Sequence, residues 1–346
     1  MSRPAPVLLL ARELGQGGSE RQMTAIARAL DRSRFTPFAG AFRAEGIRAD
    51  ELRAAGVPVV EFPVRSLYAP STLAVARRFG RFIAAQRIAI VHSFDVPGNV
   101  FAAPLARWFR APVVLTSQRA YRDLTPGMPR HLLRLTDQIA DGIVVNCQAM
   151  HRHLVEDERV PAARVHLCYN GLDTHMFTPA ARAGPAALPV IGTVCALRPE
   201  KGLDTLVEAF ATVAGRARLL LVGSGPEQPR LEARTRDLGI GDACHFEPTT
   251  RSVADWLRRI DIFVLPSRSE ALSNALMEAM ACGCAAVASD VGGNPELVEH
   301  ERTGLLFRAG DAPALAGHLR RLLDNAGLRR STADAGARRI REQLSL

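Results

Sequence analysis

The chain has 346 residues, 47% hydrophobic and 23% charged, ordinary values for two globular domains that can each bury a core. No apolar run reaches the ~18 residues of a membrane span, and the six cysteines include no CxxC pair, so an integral membrane protein and a zinc module are both set aside. The formal charge is +9, carried mostly by the first half: 23 arginines face 15 acidic residues up to Ala180, whereas 21 basic residues face 20 acidic ones after it. A basic half suggests an anionic partner, either a lipid surface or a phosphorylated acceptor. Nucleic acid is the weaker choice, because aromatic content is 5% and no helix-turn-helix pattern occurs.

The opening MSRPAPVLLLARELGQGG has an apolar stretch too short for a signal peptide and reads as a first buried strand. Further strands are expected at FTPFAGAF, VPVVEF, IAIVHSF, PVVLTSQ, GIVVNC and RVHLCYN. Between them, segments such as SERQMTAIARALD and STLAVARRFGRFIAAQ space their apolar residues as amphipathic helices do. The first strand-to-helix turn, LGQGGSERQ, can bring Gly17 and Gly18 close to an anion, with Ser19 and Gln22 as a capping box. A plain tight turn fits it as well, since Glu20 stands where a dinucleotide fingerprint needs its third glycine. His151 and His153 (HRH) read as a solvated turn rather than a metal site. FTPAARAGPAALP, Phe177 to Pro189, lacks apolar period and is expected to be a linker between domains at 1–176 and 190–346.

The second half repeats the alternation, with strands expected at PVIGTVCAL, RLLLVGSG, ACHFEP, DIFVLPS and AAVASD. Strand and helix in alternation imply parallel sheets covered on both faces, hence two doubly wound α/β domains with a ligand expected in the cleft they face across. Three features of this half carry polar groups to strand ends. ALRPEKG places Arg198 and Lys201 on one turn, where they could grip a diphosphate, although a solvated loop would look the same. Lys201 is the single lysine of the chain, so a compact ammonium in place of a guanidinium is a hint of a specific need. GSGP, with Gly223 and Gly225, is placed to let a flat ligand lie against the backbone. In SEALSNALMEAMACG, Glu270 precedes a helix that Ser273 or Asn274 can cap, and Glu278 lies inside it among apolar neighbours. A helix start favours anions, so a diphosphate here would meet the N–H groups near Leu272, Ser273 and Asn274. The carboxylates could accept hydrogen bonds from sugar and ribose hydroxyls.

These residues resemble the E-x7-E signature of retaining glycosyltransferases of family 4. GGSER, YNGLD, LRPEKG, VGSGP, DIFVLPS, the paired glutamates, GGNPELV and TGLLF also fall in that family's order. The resemblance covers nearly the whole chain and is most specific in its C-terminal part. It implies the GT-B fold, with two Rossmann-like domains: an acceptor-binding one, then a nucleotide-sugar-binding one. It assigns Arg198 and Lys201 to the diphosphate of the donor, Glu278 to the ribose, Glu270 to a donor-sugar hydroxyl, and Gly17 and Gly18 to the phosphate and acceptor. It implies transfer with retention from a nucleotide-diphosphate sugar such as a UDP-sugar, without cofactor or metal, and the sequence has no DxD triplet.

There are departures. Ala271 stands where the family commonly has glycine, and EPTTRS replaces a glycine-bearing turn, leaving the base open. Ser117, Gln118 and Arg119 end the strand where many relatives carry a histidine; His92 lies nearby in topology and reads as structural. The family usually continues into a last helix crossing back onto the first domain, so a shortened C-terminus is expected here. The expected function is sugar transfer to a glycan or lipid-linked acceptor in cell-envelope or exported polysaccharide synthesis. The expected location is cytoplasmic and peripheral to an anionic membrane surface, for which RRFGRF, Arg77 to Phe82, is the candidate contact. A sugar-nucleotide epimerase, a nicotinamide oxidoreductase resting on GQGGSE, and a truncated non-catalytic sugar-nucleotide binder are the competing readings.

Overall fold

The computed structural model describes residues 3–121, 128–179, 188–250 and 252–346. Contacts group Met1–Asn170 into one compact unit and Gly171–Leu346 into a second. Residues 180–187 of the expected linker lie outside the described residues. Phe177 is buried, and the Arg258 guanidinium donates to the carbonyls of Met176 (2.8 Å) and Thr178 (3.1 Å).

The first unit is built on a seven-stranded sheet in which all strands run parallel. Its strands are β1 (Ala5–Glu13), β2 (Phe35–Arg43), β3 (Val59–Glu61), β4 (Ile90–Ser93), β5 (Val113–Gln118), β6 (Gly142–Val145) and β7 (Val165–Leu167). The order is β3-β2-β1-β4-β5-β6-β7, so the winding reverses between β1 and β4. Each of the seven expected strands is present. The reason is visible in β1: Leu8 and Leu10 enter one core and Val7, Leu9 and Ala11 another, so successive residues load both faces of the sheet. On the Leu8 side, Phe42, Phe62, Phe79 and Phe101 pack edge to face with centroids 5.2–5.4 Å apart.

The second unit holds a six-stranded parallel sheet of β8 (Val190–Val194), β9 (Arg218–Val222), β10 (Cys244–Glu247), β11 (Ile262–Leu265), β12 (Ala285–Ser289) and β13 (Leu305–Phe307), in the order β10-β9-β8-β11-β12-β13. The strand β13 was not among the expected ones. It is three residues long and gains its place by pairing with β12, from Val287↔Leu305 to Ser289↔Phe307. A helix over Ala326–Gln343 closes the chain, after which the Leu172 N–H donates to Leu344 O (2.8 Å) and the Leu346 N–H donates to Leu172 O (3.0 Å).

Two local expectations are corrected. The helix after LGQGG begins at Gly18 with Gly17 as its N-cap, and no side chain caps it. Ser19 is therefore inside the first turn, two positions past the N-cap and too late for a capping box. His151 and His153 do not form a free turn: His151 lies in the helix Gln148–Arg152, and His153 follows it, its Nδ1 2.7 Å from Asp157 Oδ2. Among the described residues, no helix is long and apolar enough to cross a membrane.

Candidate active site

In the second unit, the carboxyl ends of β8, β9, β11 and β12 bring four loops together, and glycines permit their approach. Gly202 (φ +60°) has no room for a side chain, because a Cβ would lie 2.3 Å from Pro266 O in the loop after β11. A Cβ on Gly223 (φ +141°) would lie 1.9 Å from Cys195 O, and one on Gly225 would lie 2.2 Å from Leu197 O. The two glycines of GSGP thus serve to press the turn after β9 onto the segment leaving β8. Gly292 (φ +55°) meets Glu270 O in the same way, and the Gly293 N–H donates to Ala271 O at 2.7 Å.

This stitching places Lys201 and Glu270, 69 residues apart, in contact: Lys201 Nζ donates to Glu270 Oε1. Ser267 Oγ donates to the same oxygen at 2.9 Å. Both charged side chains are largely enclosed, Lys201 at 20% and Glu270 at 11% exposure. Burial alone would pull the Lys201 ammonium down, but the charge and hydrogen bond of Glu270 outweigh it and hold its pKa above the usual lysine value. The nearby Cys195 thiol is pushed up to about 11, by burial first, and stays protonated. Arg198 is different. It precedes the short turn Pro199–Lys201, is 63% exposed, and has Glu200 4.0 Å away. It is the more available of the two cations.

Glu270 sits three residues ahead of Ser273, whose Oγ caps the helix Asn274–Ala281 by accepting from the Leu276 N–H at 3.3 Å. The expected helix, its cap and the glycine that follows (Gly283, φ +77°) are all present. Leu272 is buried, and Glu278 lies inside the helix at 2% exposure. Two residues that sequence reasoning passed over hold this arrangement. Ser267 tethers Glu270, and its carbonyl accepts from Ser289 Oγ at 2.6 Å, which links the ends of β11 and β12. Arg268 donates to Pro199 O (2.9 Å) and Asp204 Oδ2 (2.6 Å), while its own N–H donates to Glu200 O (2.8 Å). It clamps the Arg198–Lys201 turn to the Glu270 loop. No sequence signal marks Arg268; the signal for Ser267 is its position at the end of a buried strand.

The remaining candidates belong to the first unit, at the carboxyl ends of β1, β4 and β5. His92 is buried, with Nε2 2.9 Å from Ser117 Oγ and its ring 4.2 Å from that of Phe94. Burial, and then the Arg119 charge, push its pKa down to about 3, so the ring is neutral. Arg119 donates to Asn170 Oδ1 at 2.7 Å and stands over the Phe94 ring. Gly17 is occupied from within the chain, since a Cβ there would lie 2.1 Å from Glu20 Oε2. The Glu20 carboxyl, raised in pKa by burial, covers the backbone where an anion would approach. Among the described residues no group of three or more His, Cys, Asp or Glu side chains is gathered to hold a metal ion.

The profile of Glycosyltransferase Family 4 matches residues 16–176, and that of Glycosyl transferases group 1 matches residues 188–325. The GDP-mannose-dependent alpha-(1-6)-phosphatidylinositol monomannoside mannosyltransferase of Mycobacterium tuberculosis is 30% identical over 298 residues, 79% of this chain and 76% of that protein. The chain belongs to glycosyltransferase family 4. A second family 4 relative, the D-inositol 3-phosphate glycosyltransferase of Thermobispora bispora, is 32% identical over 220 residues, 58% of this chain. The match spans about half the length of that relative, 51%. The structure of Anabaena HepE in complex with UDP and glucose superposes with a TM-score of 0.86 at 21% identity, covering 98% of this chain and 95% of that one. The fold of the family 4 chain is accordingly GT-B, two parallel-sheet Rossmann-like units.

Proposed function

We propose that this family 4 chain is a retaining glycosyltransferase that moves a sugar from a nucleotide-diphosphate sugar to a glycan or lipid-linked acceptor of the cell envelope. Its place is the inner face of a membrane. One observation carries the reading: a single lysine and the first glutamate of the E-x7-E pair are held in contact at the end of a parallel sheet, one step ahead of a capped helix start. Family membership supports retention. The mannosyltransferase relative, by its name, takes its sugar from GDP-mannose and uses a lipid acceptor.

The chemistry follows from charge. When the bond between the sugar and the diphosphate breaks, negative charge grows on the departing oxygen. Groups fixed in advance around that oxygen stabilise the transition state more than the ground state. Arg198 supplies an exposed guanidinium whose ion-pair partner, Glu200, stands 4.0 Å away, a weak contact that a diphosphate can replace. Lys201 supplies an ammonium whose charge is balanced by Glu270 until the diphosphate shares it. Glu270, anchored by Ser267, keeps its second oxygen for a donor-sugar hydroxyl, and Glu278 serves the ribose. Backbone N–H groups from Leu272 to Asn274, with Gly223 and Gly225 at the next turn, complete the donor side. Gly18, His92 and Arg119 are assigned to the acceptor, and Gly17 joins them only once the Glu20 side chain that covers it swings aside. His92, neutral by virtue of its burial, would act there as a hydrogen-bonding group and not as a cation. No cofactor or metal has a role in this scheme.

The test is turnover with a panel of UDP-, GDP- and ADP-sugars, scored by release of the nucleoside diphosphate and by the anomeric configuration of the product. Release with one donor, and loss of release in Lys201→Met, is expected. Absence of both release and thermal stabilisation with every donor would overturn the proposal.

A further inference from the structure

Between Phe62 and Tyr121 the sequence holds eight arginines and a single acidic residue, Asp95. Asp95 is taken up internally, accepting from the N–H groups of Arg12 and Gly98. The helix Thr72–Gln86 turns Val75, Phe79 and Ile83 into the core, which leaves Leu73, Arg77, Arg78 and Arg81 on its outer side. Gly80 receives the ring of Phe109, a Cβ there falling 2.4 Å from it, so the end of the helix Val96–Trp108 lies against the middle of the first helix. Trp108 and Arg110 flank that anchoring phenylalanine. Trp108 is 80% exposed. Arg107 finds Asp141 at 2.7 Å, whereas Arg77, Arg78, Arg81 and Arg110 meet no carboxylate among the described residues.

The first unit thus exposes a large indole and a leucine together with guanidiniums that meet no carboxylate among the described residues, and apolar surface rimmed by charge marks an interaction site. We propose that this face of the first unit seats the protein on an anionic phospholipid surface, with the arginines on the headgroup phosphates and Trp108 at the headgroup level. Arginine suits the phosphates because its planar fork bonds two oxygens at once. Tryptophan suits the interface because one end of its ring system is apolar and the N–H remains in reach of water. A nucleic-acid backbone would use the same arginines. It has no use for Leu73 at 66% exposure, nor for one isolated indole where successive bases need several stacking rings. The proposal deepens the reading of a lipid-linked acceptor given above. It needs no turnover to be tested, so either can fail without the other.

The chain carries two tryptophans, Trp108 and Trp256, and Trp256 is already covered by the Arg259 guanidinium 4.3 Å from its ring. Trp108 is therefore a local reporter. The full chain is mixed with phosphatidylcholine vesicles, or with vesicles containing one quarter phosphatidylglycerol, at low and high salt. Binding is read by flotation and by the emission maximum of a Trp256→Phe variant. The expected result is at least tenfold tighter binding to the anionic vesicles at low salt, weakened at high salt, with a blue shift of Trp108. Arg77→Glu/Arg81→Glu should abolish flotation, and Trp108→Ser should weaken it severalfold, both with unchanged circular dichroism and thermal midpoint. Absence of flotation on anionic vesicles would overturn the proposal. So would flotation that both variants retain, or tighter binding to RNA than to vesicles with no shift of Trp108.

Discussion

The contact between Lys201 and Glu270 can be separated into its structural and its chemical parts. Breaking a fully enclosed ion pair from one side costs about 3–5 kcal/mol, because the remaining charge is stranded. Here both side chains keep a little exposure, and Ser267 still bonds Glu270 when the lysine is gone. The expected cost is therefore smaller, about 2 kcal/mol for Lys201→Met or Glu270→Gln alone. That corresponds to a fall of about 4–8 °C in the thermal midpoint of a unit this size. In the double variant neither charge is stranded, so most of the stability should return, to within about 1 kcal/mol of the parent. Activity should not return. Each variant has lost a group proposed to act on the departing diphosphate or on the sugar, a loss of about 3 kcal/mol or roughly 100-fold in turnover. Calorimetry and donor turnover on the four proteins complete the cycle. A double variant no more stable than the singles would refute the buried-pair reasoning, and parent-like turnover in any of the three would refute the chemical assignment.

Three further outcomes follow from the geometry. His92 is held near pKa 3 against an unfolded value of about 6.5, so the unfolded chain binds the extra proton between these values. Its contribution to stability is complete above about pH 6.5 and is lost as the pH falls toward 3. Between pH 7.5 and 5 the parent should lose about 2 kcal/mol more than His92→Asn in chemical denaturation, and equal losses would sink the burial argument. Of the six thiols, Cys168 is exposed, while burial raises Cys195, Cys244 and Cys282 to about 11. One fast-reacting thiol per chain is expected with a disulfide reagent at pH 8, and Cys168→Ser should remove it. Gly223→Ala must relieve a contact at 1.9 Å in a left-handed region and should cost about 3 kcal/mol or more, whereas Gly215→Ala, with open space around it, should be within about 1 kcal/mol of the parent. Comparable thermal midpoints for the two alanine variants would mean that the loop packing at Gly223 is looser than described.

Most strands were legible because the sheets are parallel and covered on both faces, which writes each strand as a short apolar run between helical segments. The exception, Leu305–Phe307, shows the limit of that signal. Three residues after Thr303 and Gly304 are too few to show a period, and what makes them a strand is the edge of β12. The helix start at Gly18 was misread for a related reason. Ser19 and Gln22 have the capping spacing, but the Glu20 side chain folds back over Gly17 and the helix begins two residues sooner. In both cases a neighbour distant from the local pattern decided the outcome.

The candidate site divides along the same line. Arg198, Lys201, Glu270, Ser273 and Glu278 could be named because strand ends and helix starts are local features. That Lys201 and Glu270 touch could not be read, since 69 residues separate them and neither carries a mark of the other. The contact depends on Gly202 and Gly292, each of which lets one loop lie against a carbonyl of another, and on Arg268, which bonds the turn of the first cation to the loop of the acid. Glycines in such loops are usually assigned to the ligand. Here Gly202, Gly223, Gly225 and Gly292 all have a backbone carbonyl of the chain itself where a Cβ would go, at 1.7–2.3 Å. Their first task is to hold four loops in register, and any closeness to a donor phosphate is a consequence of that. The charged residues can then be few and mostly enclosed, because the backbone that carries them has little freedom to drift.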